Sequence, residues 1–379
     1  MAGGTPQVDR GRVLAHRAVA QQLHRPGRPR PAGLAVLDLG VQDTPYGSAR
    51  QALAARGVTD LDDDRLELVW STRGAPHLHR RAELPALAAA LWPLSDADAT
   101  RRLPGQIRDG AKLGLAAFRA AAAAFREVVT APMARGEVSR AVSDRIPDEL
   151  NYECRACAAR HVSGALFQQA GLAGGVRLEV AGRAARLAPL APRPAPPERA
   201  APRPAPPERA AGTDALVLAY LRLLGPATPG DVAGFLGTSV TELRAIWPTD
   251  QLTEVRVDGR RAWLPTDRLD ALRGAAPVDG VRLPPGDPFL QARDRDVLVP
   301  EKAHQAQLWR MIGNPGVVLA DGEVAGTWRA KQAAKGRLDL TVTPFTKLPK
   351  RVTHEVEAEA ETVRAARRAS EVTVQFEPA

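Results

Sequence analysis

The chain has 379 residues, is 44% apolar, and carries 52 Lys and Arg against 43 Asp and Glu, a formal charge of +9. That length and apolar content predict roughly two to four domains with real cores, and the basic surplus favours a polyanionic partner. Two cysteines exclude a disulfide framework, and 4% aromatics count against single-strand binding by base stacking. Arg and Asp interrupt every apolar run before it reaches membrane-spanning length, and the N-terminus lacks the order of a signal peptide, so a soluble cytoplasmic protein is expected.

In chain order, residues 8–23 place apolar side chains at helical spacing, and a Pro/Arg-rich break follows over 25–31. Residues 35–39 form an apolar run, 48–56 resume a helical pattern, 65–70 alternate as a strand does, and 84–92 are helical again. Helices followed by a short hairpin describe a winged helix. A second set opens with the alanine-rich stretch 113–129, continues through 136–146 and ends in strand-like Val-Arg-Leu-Glu-Val at 176–180. Next comes an exact duplication, Ala-Pro-Arg-Pro-Ala-Pro-Pro-Glu-Arg-Ala at 191–200 repeated at 201–210. So much proline excludes helix and sheet and predicts an extended spacer.

The third set is the most explicit. Residues 214–224 read as a helix ending at Gly225-Pro226, and Thr228-Pro229 as a capped start with proline at the first helical position. Gly237-Thr238-Ser239 is a tight turn, from which Ser239 or Thr241 can cap a helix running to 246–247. Segments 252–257 and 261–264, joined through Asp258-Gly259, predict a hairpin wing. Beyond Pro284 the pattern turns to short strands at 316–329 (with an Asp-Gly turn at 321–322) and 337–342, then a helix over 354–369 and a strand over 372–376. The predicted class is α+β: three tandem winged-helix domains at 1–112, 113–190 and 212–278, a spacer at 191–211, and a small C-terminal antiparallel β-barrel or sheet at 279–379.

Two blocks place polar, chemically able side chains beside Gly and Pro at the end of an apolar run, which suits a site better than a core. They are Leu-Asp-Leu-Gly-Val-Gln-Asp-Thr-Pro at 37–45 and Ser-Thr-Arg-Gly-Ala-Pro-His-Leu-His-Arg at 71–80. With Gly-Pro-Ala-Thr-Pro at 225–229, Gly-Asn-Pro-Gly-Val-Val-Leu at 313–319 and Val-Ala-Gly-Thr-Trp-Arg at 324–329, the chain resembles the AlkZ/YcaQ group of bacterial DNA glycosylases over nearly its whole length. The resemblance implies a monofunctional glycosylase hydrolysing the N-glycosidic bond of bulky or cross-linked alkylated purines, in DNA repair or self-resistance. It also implies double-stranded DNA as partner, a monomer, and no cofactor for the chemistry.

Catalytic members of that group carry Gln-x-Gln or Gln-x-Asp after a Leu/Val-rich run. Here Gln42 takes the first position, and Thr44 stands at the second. In an extended segment i and i+2 project to one side, so Asp43 points away from the side Gln42 faces unless a turn before Pro45 re-aims it. As a site, Gln42 orients a water, and Asp43 or Asp38 supplies negative charge against the cation developing on the sugar. As structure, Gln42 and Asp43 brace a turn. The departure at Thr44 keeps open a non-catalytic winged-helix DNA-binding protein, a regulator or lesion binder. A structural protein whose winged helices mediate protein contacts is the third reading.

His77 and His79 flank Leu78 and share a face if that segment is a strand, for contact with a phosphate or a flipped base, or as satisfied buried histidines. Cys154, Cys157 and His161 have spacing that suits a structural zinc, with Glu153 or a distant residue as the fourth ligand; two small buried cysteines is the alternative. Candidates for phosphate contact are Arg50, Arg73, Arg80, Arg81, Arg310, Arg329 and Lys331. Arg80-Arg81 beside a wing and the Trp328-Arg329 pair lead among them.

Overall fold

Asp9 starts the first helix: its carboxylate accepts from the Arg12 amide at 2.8 Å, and Arg10–Ala20 then buries Val13, Leu14, Ala15 and Ala18. This computed structural model describes residues 4–156, 158–181, 184–190, 206–310, 313–333 and 336–378. By contact the chain divides into two compact units. One comprises Met1–Asp64, Leu218–Val232 and Pro248–Ala379, the other Arg65–Val217 and Ala233–Trp247. Both units are discontinuous in sequence. The first copy of the Pro-rich decamer and the first half of the second lie outside the described residues.

In the first unit the predicted hairpin forms from Leu252–Val257 and Arg260–Pro265, turning at Asp258 (φ 45°) and Gly259 (φ 81°), the pair of positive angles a tight primed turn requires. A third strand, Gln7–Val8, pairs parallel to Leu252–Val257 and brings the N-terminus onto this hairpin. Val8, Val13, Val255, Val257, Leu264 and Leu272 close a small core there. Within the unit this pairing links the N-terminal segment to the hairpin.

The C-terminal part of the same unit is a five-stranded sheet in the order Val281–Arg282, Gly316–Ala320, Glu323–Gln332, Leu338–Pro344, Val372–Phe376. Its pairs are antiparallel except the last, which is parallel and needs a crossover, supplied by the helix Lys350–Ala366. The first and last strands are not neighbours, so the sheet is open rather than a closed barrel. Leu338, Leu340 and Val342 alternate inward and meet Val352, Val356 and Val363 of the helix. A Cβ at Gly316 would come within 2.3 Å of the Trp328 indole, so only glycine admits that ring. Helix Ser48–Ala54 packs against Lys350–Ala366.

The second unit collects the helices Leu84–Ala90, Asp96–Arg102, Leu115–Val128, Arg135–Ser143 and Gly164–Gly171 with three hairpins. These are Leu66–Trp70 with Pro76–Arg80, Asn151–Cys154 with Ala159–Val162, and Val176–Ala181 with Ala184–Pro189. The alanine-rich helix works by contrast of size. Ala117, Ala121, Ala122 and Ala124 let neighbours approach closely, while Phe118 and Phe125 fill the space against Trp92 and Phe167 at ring separations of 5.9 and 4.8 Å. Ser239 caps the helix Val240–Arg244 by accepting from the Glu242 amide. Among the described residues no helix is long and apolar enough to cross a membrane.

Candidate active site

The first block belongs to the first unit. After the buried turn of Val36 and Leu37, Val41–Gln42 is a two-residue strand and Thr44–Pro45 is a cis peptide leading to the helix Ser48–Ala54. Asp43 is buried, and its carboxylate is committed to that helix: Oδ1 accepts from the Ala49 amide at 2.9 Å, with further bonds from Gly47 and Ser48. Burial pushes the Asp43 carboxyl above the usual range, and these hydrogen bonds pull it part of the way back. Thr44 is exposed.

Gln42 is half-buried on the strand, and its carboxamide is oriented from far along the chain. Gln291 Nε2 donates to Gln42 Oε1 at 2.8 Å, leaving the Gln42 amino group without a partner among the described residues. Gln291 closes the short helix Pro288–Gln291, which Asp287 caps by accepting from the Phe289 amide at 2.9 Å. Asp287 is itself gripped by both terminal nitrogens of Arg56 at 2.7 Å, with both side chains fully buried. Arg56 also donates to the carbonyls of Gln21 and Ala52. A buried, fully bonded ion pair thus anchors the turn that carries Gln291, whose side chain hydrogen-bonds Gln42. Sequence reasoning selects neither Gln291 nor Asp287. A capped Asp-Pro start is visible locally, but the partner of Gln291, 249 residues away, is not.

The second block belongs to the second unit and forms the turn of its first hairpin. Ser71 Oγ accepts from the Thr72 amide, and Arg73 and Gly74 take positive φ of 56° and 77°. Arg73 directs its guanidinium to the carbonyls of Gly234 and Phe235 at the end of a helix, and lies 5.6 Å over the Phe235 ring. That is a helix C-cap, which satisfies orphan carbonyls and favours a cation. His77 and His79 do share a face of the strand Pro76–Arg80, and it is the inward one. His79 Nε2 meets Ser71 Oγ at 2.9 Å, and His77 Nδ1 donates to the Ala75 carbonyl at 2.9 Å. Burial holds the His77 imidazole down to about 4, so it is neutral at pH 7; its Nε2 has no partner among the described residues.

The remaining candidates fall in different settings. Arg50 pairs with Asp62 at 2.5 Å, Arg80 with Glu83 at 3.0 Å and Arg81 with Glu67 at 3.3 Å. Arg310, Arg329 and Lys331 are exposed; Arg329 donates to the Gly313 carbonyl, and Lys331 stands across the strand pair from Asp339 and, after Arg337 and Thr373, helps hold that carboxyl below its ordinary range. Trp328 is a correction to the expected surface pair. Neighbours on a strand face opposite ways, so Arg329 points out while Trp328 is packed in the sheet core at 2% exposure. Cys154 and His161 lie on one face of their hairpin with a hydrogen bond between their side chains, and the His161 Nδ1 donates to the Val162 carbonyl. Glu153 alternates to the other face, and Cys157 lies outside the described residues. Among the described residues no three His, Cys, Asp or Glu side chains group as a metal site.

A family model described as DNA glycosylase AlkZ-like matches residues 8–366. A Streptomyces sahachiroi protein described as an interstrand DNA cross-link repair glycosylase is 36% identical over 172 residues, 42% of this chain and 44% of that protein. The chain therefore matches less than half the length of that relative. The solved structure of Streptomyces sahachiroi DNA glycosylase AlkZ has the same fold at a TM-score of 0.70 and 23% identity, covering 98% of this chain and 100% of that one.

Proposed function

Because the chain belongs to the AlkZ-like family of DNA glycosylases, we propose that it binds duplex DNA and hydrolyses the N-glycosidic bond of bulky or cross-linked alkylated purines. The observation that carries this reading is Gln42, hydrogen-bonded by Gln291 through its carbonyl with its amino group uncommitted among the described residues. The helix-and-hairpin sets are read as winged helices, and the exposed Arg310, Arg329 and Lys331 as phosphate contacts.

An N-alkylated purine is cationic and already a good leaving group, so little general-acid catalysis is needed. Water oxygen bonds to the sugar carbon as the carbon–nitrogen bond breaks. The electron pair leaves with the purine and neutralises its charge, and the spare water proton passes to solvent. What the protein adds is access to the base, a positioned water and a fixed electrostatic setting. In this reading Gln42 holds the water, and Asp43, bound to the amides of the following helix, builds the turn that presents Gln42.

The test is incubation with duplex DNA carrying N7-alkylguanine, followed by detection of alkali-labile abasic sites. Excision by the parent, with Gln42→Ala slower by orders of magnitude at unchanged DNA affinity, supports the assignment, because affinity resides in phosphate contacts elsewhere. A second reading, a non-catalytic lesion binder or regulator, is favoured by the exposed Thr44 at the second motif position and by the engagement of Asp43 with the helix. Binding without any abasic product selects it, and excision gained on Thr44→Asp marks a glycosylase weakened at that position.

A further inference from the structure

We propose that Gln291 is a positioning residue for the hydrolytic water: it fixes which end of the Gln42 carboxamide faces that water. The inference rests on the glycosylase reading above and adds to it a residue from the far end of the chain.

A glutamine amide has a donor end and an acceptor end, and rotation about its last bond exchanges them at little cost. An unrestrained Gln42 therefore presents either end, and only one can hold a water in a single orientation. Gln291 engages one end of that carboxamide and leaves the other for the water. Its Nε2 donates to Gln42 Oε1 at 2.8 Å, so the acceptor end is occupied and the amino group is left without a partner among the described residues. Gln291 Oε1 has no partner among the described residues. The pair thus keeps a donor on Gln42 and an acceptor on Gln291 uncommitted among the described residues, and in this proposal both contact the one water: its oxygen accepts from Gln42 and one of its hydrogens goes to Gln291.

The support of Gln291 is stiff for a loop residue. Pro288 and Phe289 are buried, Asp287 caps their turn, and the doubly bonded Arg56 holds Asp287 with no solvent exposure on either side chain. The same loop lies beside the first block, since a Cβ at Gly286 would sit 3.8 Å from the Thr44 carbonyl oxygen. A site group held this way keeps its geometry at the moment of reaction, and a misplacement of about 1 Å costs on the order of 100-fold in rate.

Exchange of donor for acceptor is the test. Gln291→Glu keeps the shape but cannot donate while ionised, so Gln42 turns its amino group toward the new carboxylate and its carbonyl toward the water. Excision on the N7-alkylguanine duplex should fall about 10- to 100-fold at pH 7.5, with DNA affinity and melting temperature near those of the parent. With an ordinary glutamate value of about 4.3, roughly one-sixth of the new carboxyl is protonated at pH 5 and can donate again, enough to bring the deficit down to roughly 4- to 6-fold there. The rate relative to the parent, corrected for spontaneous base loss, should then recover. Gln291→Met, isosteric and without a donor, should be slow at both pH values. A purely structural role predicts no such recovery on acidification. A Gln291→Glu enzyme as fast as the parent, or one whose deficit is the same at pH 5 and 7.5, overturns the positioning role alone. A parent that binds the duplex and excises nothing overturns the glycosylase reading, and the positioning role with it.

Discussion

Replacing Asp287 by alanine removes a carboxylate that accepts two hydrogen bonds from Arg56 at 2.7 Å and one from the Phe289 amide at 2.9 Å. Both partners of the ion pair are fully buried, so the loss leaves the Arg56 guanidinium with carbonyl acceptors but no countercharge. Breaking a buried pair from one side costs about 3–5 kcal/mol, whereas an exposed pair is worth about 0–1 kcal/mol. At about 2–4 °C per kcal/mol for a domain of this size, Asp287→Ala should lower Tm by roughly 6–20 °C. Glu83→Ala, which breaks the partly exposed Arg80–Glu83 pair, should cost under about 1 kcal/mol. The double replacement Arg56→Met with Asp287→Leu, which removes both charges, should recover much of the single-variant loss. Guanidinium chloride unfolding followed by tryptophan fluorescence measures all three. A cost for Asp287→Ala below about 1 kcal/mol, or a double variant less stable than the single, would refute the assignment of this pair as a buried, fully bonded anchor.

Stability should also fall on mild acidification. Burial holds His16 and His77 to about 4 against 6.5 unfolded, so the unfolded chain binds more protons between those values. Stability is then complete above about pH 6.5 and declines toward pH 4, by about 2 kcal/mol per histidine at pH 5. Tm should depend less on pH in a His16→Gln, His77→Gln variant, and a parent Tm constant from pH 7 to 5 would contradict the burial argument. DNA affinity should fall by roughly 100-fold or more between low and moderate salt, since each phosphate contact contributes a log–log slope near −0.9. A flat response in a binding titration would count against duplex DNA. Deleting one copy of the duplicated decamer should change stability by a few tenths of a kcal/mol, because closure entropy varies only logarithmically with spacer length. A large fall in Tm would show instead that the segment is packed.

Local chemistry is readable where a rule acts over a few residues. Ser239 caps its helix, Asp258-Gly259 and Asp321-Gly322 take the positive φ of tight turns, and the final strand spans Val372–Phe376. Alternation along a strand also directs Asp43 away from the side Gln42 presents, and the structure has its carboxylate on the following helix. The same rule, applied across the whole 324–329 block, turns Trp328 inward once Arg329 points out.

Helices, hairpins and turns were thus encoded locally, because propensity, capping and side-chain period depend on neighbours along the chain. The partners of the polar side chains were not. Folding set Gln291 on Gln42 across 249 residues and Asp287 on Arg56 across 231. It also committed Arg73 to a helix end and closed His77 and His79 into the interior. A polar side chain offers the same donors and acceptors wherever it stands. Whether it meets solvent, a ligand or a buried countercharge is set by packing between segments far apart in the chain, and no local spacing encodes that.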